Sequence, residues 1–169
     1  MNANTNPGAL AEPFTLFDDA GVMQMQGSLC AGKLEGLLRI DRDGAPQASM
    51  RFVNGVQQGE CIMLYAPHRP SARLHFVDGR LDGPAEFYSL QGLVVRRTHY
   101  RRGLVHGLQQ DFYADGTPFE EATYRDGLPD GAWCRYHPNG TLSERRNYEA
   151  GVTTAAPERF DERGHALIS

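Results

Sequence analysis

Glycine recurs along this chain at a fixed interval, and that interval constrains the fold more tightly than any other feature. A first glycine stands at Gly8, Gly32, Gly55, Gly79, Gly103, Gly127 and Gly151, in steps of 24, 23, 24, 24, 24 and 24 residues. A second follows four residues later at Gly36, Gly59, Gly83, Gly107 and Gly131, with Glu12 and Ala155 in its place in the outermost copies. A third comes nine residues after that at Gly21, Gly92, Gly116, Gly140 and Gly164; it comes after eight at Gly44, and His68 replaces it in the third copy. Seven copies in 169 residues mark a repeat architecture. In such folds each unit buries its apolar side by stacking on neighbours, and terminal copies drift from the consensus.

The residues beside the glycines identify the secondary structure. Asn54-Gly55, Asp78-Gly79 and Asp126-Gly127 are turn dipeptides, as are Asp43-Gly44, Asp115-Gly116 and Asn139-Gly140. Such pairs supply positive φ for type I′ hairpin turns. The intervening runs of six to nine residues suit short strands, and no stretch shows a 3.6-residue apolar period with helix caps. The expected fold is all-β: a single-layer antiparallel β-meander of about seven 24-residue β-hairpin units, with up to fourteen short strands. Each unit reads as strand, tight turn, strand and a four-residue glycine-bracketed link. Residues 8–164 form this repeat domain, residues 1–7 a disordered N-terminal segment and residues 165–169 a C-terminal tail. Gly79, Gly83, Gly103, Gly107, Gly127 and Gly131 are structural residues of the turns and links.

Aligning the copies exposes two aromatic columns. Leu29, Phe52, Phe76, Tyr100, Tyr124 and Tyr148 stand three residues before each new first glycine. Phe17, Leu64, Tyr88, Phe112, Tyr136 and Phe160 stand five residues after the second-glycine position, with Ile40 in the shortened copy. Ten of the chain's aromatic residues fall in these columns, two strand spacings (about 9.6 Å) apart. Both columns are expected to interleave as one stacked ribbon, with Tyr124, Trp133 and Tyr136 as structural members.

Composition narrows the function. A net charge of −4 with a single lysine, Lys33, argues against nucleic acid as a partner, since that affinity comes from phosphate neutralisation. Three dispersed cysteines, Cys30, Cys61 and Cys134, fit reduced, idle thiols. No signal peptide and no apolar run of about 20 residues is present, which points to a soluble, cytoplasmic chain. No nucleophile elbow, phosphate loop or Cys–His–acid arrangement occurs. His75 and His99 share one phase, yet zinc ligands must converge within about 2.0–2.3 Å of one ion, which side chains ~10 Å apart do not. The expectation is no enzyme, no metal and no cofactor.

The charge is uneven at one place. Leu93–Gln110 carries Arg96, Arg97, Arg101 and Arg102 with His99 and His106 and no acid. Arginines of this kind pair with acids on adjacent strands and discourage edge pairing. With Tyr100 they also make an Arg/Tyr-rich patch of the type enriched at interface hot spots. Arg96, Arg97, His99, Tyr100, Arg101 and Arg102 are therefore the candidate partner-binding residues.

Tyr100–Gly116 (Y-R-R-G-L-V-H-G-L-Q-Q-D-F-Y-A-D-G) and Tyr124–Gly140 (Y-R-D-G-L-P-D-G-A-W-C-R-Y-H-P-N-G) resemble the MORN-repeat-variant family. The likeness spans Phe14 to Gly164 and is sharpest from Phe76 to Gly151. Trp133 matches the tryptophan common two residues after the second glycine; Phe14, Leu38, Cys61, Ala85 and Gln109 occupy that slot elsewhere. The resemblance implies a single-file hairpin sheet without catalytic apparatus. Bacterial members are often labelled antitoxins or immunity proteins, and eukaryotic relatives scaffold complexes and have been proposed to bind phosphoinositides. The expected function is binding of another protein, such as a cognate toxin or effector, through the repeat sheet. A scaffold that pairs with itself is the alternative, and anionic-lipid binding is less favoured at this net charge.

Overall fold

The computed structural model describes residues 10–167, so the expected disordered segment at residues 1–7 and the last two residues of the expected C-terminal tail lie outside that range. The described residues form no helix. In chain order the strands are β1 (Glu12–Phe17), β2 (Met23–Cys30), β3 (Lys33–Leu34), β4 (Gly36–Arg42), β5 (Ala45–Val53) and β6 (Val56–Ala66). They continue as β7 (Arg69–Val77), β8 (Arg80–Leu81), β9 (Gly83–Tyr88), β10 (Val94–Arg101), β11 (Leu104–Val105) and β12 (Gly107–Phe112). The last are β13 (Pro118–Arg125), β14 (Leu128–Tyr136), β15 (Leu142–Glu149), β16 (Val152–Thr153), β17 (Glu158–Phe160) and β18 (Ala166–Leu167). All lie in one sheet, each antiparallel to the next pass. The two-residue strands β3, β8, β11 and β16 are the leading ends of passes completed by β4, β9, β12 and β17. Counted as passes, the strands number fourteen, as the repeat predicts. Ala166–Leu167, beyond the expected end of the repeat domain, pair with Phe160 and Arg159.

From Gly32 onward, each first glycine closes a two-residue type I′ turn. Asn54 and Gly55 have φ of 51° and 80°, and Asp78-Gly79 and Asp126-Gly127 match them. Ala31, Arg102 and Ala150 hold the same left-handed conformation ahead of their glycines without an Asn or Asp side chain to ease it. The turns are also tied to one another. The Gly103 N–H donates to the Leu81 carbonyl (2.7 Å), Gly127 to Val105 (2.8 Å) and Gly151 to Pro129 (2.8 Å). Each unit therefore presents a carbonyl that only the next unit's turn can satisfy, which enforces the stacking register.

Two expectations are corrected. The three residues between first and second glycine are not a link. The first of them enter the sheet, as Leu34 opposite Leu29 and Val105 opposite Tyr100, and the second glycine is a bulge. Tyr124 pairs with Pro129 but Ala122 with Trp133, so Asp130, Gly131 and Ala132 together face Thr123. The turns at Asp115-Gly116 and Asn139-Gly140 are not type I′ either, because only the glycine has positive φ. The Gly116 N–H bonds back to Tyr113 (2.9 Å), the Tyr113 N–H bonds to Thr117 (2.8 Å), and Asp115 accepts the Thr117 N–H (2.9 Å). This is a three-residue loop, a type I turn closed by a left-handed glycine. Asp43-Gly44, with φ of 53° and 75°, is a true two-residue type I′ turn. The one residue it lacks is the source of the single 23-residue step.

Because strand side chains alternate between faces, every pass gives the sheet a front face, carrying Trp133, and a back face, carrying Cys134. The middle front row contains Gly27, Leu38, Cys61, Ala85, Thr98 and Ala122, all shielded from solvent, at 6% exposure or less for the last five. No large side chain is fully sealed. This is what one layer permits: small residues vanish beneath their neighbours and large ones remain half-covered. Gly27 shows the limit, since a Cβ there would stand 2.9 Å from Leu38 Cδ1 and 3.1 Å from the Phe14 ring.

Candidate binding face

One cross-strand row on the front face can be followed through the whole sheet by register. It runs Leu16, Met25, Ile40, Ala48, Met63, Ala72 and Phe87, each opposite the next. It then continues Arg96, Asp111, Glu120, Arg135, Glu144 and Arg159. The change from apolar to charged falls between β9 and β10. The aromatic row on the far side of the middle row changes in step, from Leu29, Phe52 and Phe76 to Tyr100, Tyr124 and Tyr148. The back-face row is polar along nearly all its length, from Gln26 and Arg39 through Arg73, Glu86, Arg97, Gln110 and Glu121 to Arg145 and Glu158.

The front of the C-terminal half is held together by charge. Arg96 pairs with Asp111 (2.5 Å), Arg135 with Glu120 (3.0 Å) and Arg146 with Glu144 (2.6 Å). The guanidinium carbons of Arg135 and Arg146 lie 4.9 and 5.2 Å from the Trp133 ring centre, and Arg135 also lies 5.4 Å from Phe119. Each arginine is thus fixed by a carboxylate on one side and an aromatic face on the other, a geometry that favours attraction to the ring quadrupole. Its hydrogen bond to Asp111 raises the Arg96 guanidinium above its usual value. Burial raises the Tyr124 phenol, with Glu120 and Asp111 adding to it.

The aromatic columns do not form one ribbon. Tyr100, Tyr124 and Tyr148 are on the front, whereas the second column is on the back. There the Tyr88 hydroxyl donates to Glu86 (2.6 Å), the Tyr136 hydroxyl to Glu121 (3.0 Å), and Arg97 lies 5.6 Å from the Phe112 ring centre. The three-residue loop between the columns breaks the simple alternation, so equal spacing along the chain does not mean a shared face.

The six candidate residues divide in the same way. Arg96 and Tyr100 are on the front; Arg97, His99 and Arg101 are on the back; Arg102 is in the turn at φ 53°. Arg97 pairs with Glu86 (2.9 Å), Arg101 with Asp126 (2.6 Å), and the Arg102 amide N–H donates to Asp82 (3.0 Å). The structure therefore contains no single six-residue patch. On the back, Glu60, Arg73, His75, Pro84, Glu86 and Arg97 line an open depression of about 470 Å³ whose charges are balanced. Among the described residues no group of three or more His, Cys, Asp or Glu could hold a metal ion, and no helix is long and apolar enough to cross a membrane. Sequence reasoning missed Arg135 and Arg146 beside Trp133. Carrying the alternation through the bulges, with Ala122 opposite Trp133 and Trp133 opposite Arg146, is the signal that locates them.

Comparison with known proteins agrees with this architecture. A model of the MORN repeat variant family matches residues 105–126 and 129–150. No curated protein matches the chain. Among solved structures, the chain is similar to a mutant of S. aureus TarM in complex with fondaparinux, alpha-GlcNAc-glycerol and UDP. The identity is 12%, the TM-score 0.33, and 70% of this chain and 21% of that one are covered. A second TarM crystal structure gives 14% identity and a TM-score of 0.31, covering 66% and 19%. The chain thus spans about a fifth of the length of those proteins. Two adjacent segments thus match the MORN repeat variant model inside a longer sheet built on the same plan, an architecture suggestive of a repeat-based binding or scaffold module.

Proposed function

We propose that this is a non-enzymatic binding module that holds a partner protein against the front face of its C-terminal units. The observation that carries the reading is the placement of Tyr100, Tyr124, Tyr148 and Trp133 on one open face, with Arg135 and Arg146 laid on Trp133. Trp, Tyr and Arg dominate interface hot spots, and side chains already held by ion pairs lose little freedom when a partner arrives. The most concrete form of this function, supported by the family resemblance, is a cytoplasmic antitoxin or immunity protein that neutralises a cognate toxin by binding it. Arg96, Arg97 and Arg101 each sit in an ion pair, which weighs against an anionic-lipid surface as the partner.

The test is co-expression and affinity capture with the products of neighbouring genes. Growth rescue and a stable complex are expected, with at least a tenfold weaker Kd for Tyr124→Ala combined with Tyr148→Ala. Replacing Arg97 and Arg101 by Ala on the back should leave binding unchanged. A complex insensitive to the front pair but lost with the back pair would reverse the assignment, and failure with every neighbouring product would remove the antitoxin reading.

A further inference from the structure

We propose that two copies of this chain pack front face to front face through their N-terminal halves. From β1 to β9 three front rows run side by side. They are Leu16–Met25–Ile40–Ala48–Met63–Ala72–Phe87, then Phe14–Gly27–Leu38–Met50–Cys61–Leu74–Ala85, then Leu29, Phe52 and Phe76 with Leu34 and Leu81. None of these positions is charged; the one carboxylate in register with them, Glu12 opposite Leu29, stands at the outer corner on β1. A sheet with one apolar face is stable when a second layer covers it, and the described residues supply no such layer. Leu16 is 53% exposed and Met63 45% exposed.

A second copy fits this surface for three reasons. The first is area. Seven passes at about 4.8 Å, crossed by three rows about 6.8 Å apart, make a flat patch on the order of 700 Å², close to the roughly 800 Å² per partner of a standard interface. The second is charge: apart from Glu12 at its outer corner the patch has none, so it needs no complementary surface and is complementary to itself about a two-fold axis. The third is register. At Arg96, Asp111 and Glu120 the same row becomes charged, and sliding one copy further over the other would bury those groups against hydrocarbon at high desolvation cost. Overlap therefore stops at the β9–β10 boundary. Packing centred on β5 sends the two C-terminal halves outward in opposite directions, each with its Tyr/Trp/Arg face open. Met25, Met50 and Met63 provide the adaptable side chains that two stacked sheets interdigitate.

Sedimentation of the wild-type chain at tens of micromolar tests the proposal together with two variants. A dimer is expected, converted to monomer by Met63→Asp on the front and left intact by Ile62→Asp on the back. Circular dichroism establishes that each variant retains its sheet. Peroxide oxidation of the wild type read by mass spectrometry gives an answer that requires no variant to fold. Met63 should react at least several-fold slower at dimer-forming concentration than after dilution. A monomeric wild type, a dimer that survives Met63→Asp, or Met63 oxidation at the rate of the denatured chain at every concentration each overturns it. Partner binding by the C-terminal face is a separate assay, so failure of one reading does not imply failure of the other.

Discussion

The two halves of the front face share one backbone and differ in what they place on it. Turns, bulges and the shielded middle row repeat from end to end. The side chains on either side of that row change from Leu, Met, Ile and Phe before β10 to Arg, Asp, Glu and Tyr after it. The repeating backbone is specified by glycines in turns and bulges, which say nothing about the faces, so the faces are free to diverge. The energetics diverge with them. The N-terminal half relies on apolar contact, at about 25 cal/mol per Å² removed from water. The C-terminal half relies on half-exposed ion pairs of about 1 kcal/mol or less each, and on cations stacked over rings.

The largest effect that tests this contrast is expected in the middle row. Leu38 and Gln109 occupy equivalent slots, but Leu38 is only 6% exposed. Leu38→Ala should cost about 3 kcal/mol, and Gln109→Ala under about 0.5 kcal/mol, in urea unfolding; equal losses would abolish the distinction. Next comes Trp133→Ala at about 2 kcal/mol, below the range for a sealed tryptophan because its faces are covered by arginines rather than by a core. A loss near zero would mean that the ring rests on the surface without supporting the sheet. Gly131→Val probes what the halves share. At φ 111°, with a new Cβ only 3.4 Å from Thr123 Cβ, it should cost more than about 1 kcal/mol; an unchanged Tm would remove the bulge assignment.

Alkaline pH should separate the halves. Burial and the bond to Glu121 push the Tyr136 phenol up to about 12, and burial raises Tyr124 and Cys134. A group whose pKa is raised on folding stabilises the fold fully below its unfolded value, about 10 for tyrosine. That contribution is lost as pH climbs from about 10 toward 12. Burial also raises the Cys61 thiol of β6 and the Tyr88 phenol of β9, but Tyr136, pushed furthest, lies in the C-terminal half with Tyr124 and Cys134, so hydrogen exchange should accelerate more there. Earlier loosening of β4–β7 would contradict the contrast. The smallest effect is expected from replacing Arg96 and Asp111 together by Leu, within about 0.5 kcal/mol because the arginine is 48% exposed. The same change extends the apolar row and should strengthen self-association; weaker association would argue against face-to-face packing.

Much of this was legible before any coordinates. Asn54-Gly55 and Asp126-Gly127 announced their type I′ turns, the number of passes followed from the glycine count, and the short step at Gly44 marked a real one-residue deletion. Asp115-Gly116 was misread because Asp-Gly serves equally well in a three-residue loop, where Asp115 accepts from Thr117 rather than adopting positive φ. The candidate site was half legible. The cluster at Arg96–Arg102 was visible as composition, and the acids that neutralise it, Glu86, Asp111 and Asp126, stood 11 to 25 residues from their partners along the chain.

The sequence by itself determined the hairpin, its period and the order in which hairpins stack, because these depend on local backbone preferences that Gly, Asn and Asp carry wherever they occur. Tertiary structure decided which residues look out together. A bulge at every second glycine and an odd-numbered loop at most third glycines each shift the alternation of faces. Tyr100 and Tyr136, alike in the sequence, therefore end on opposite sides of the sheet, while Trp133, Arg135 and Arg146 meet across two strands.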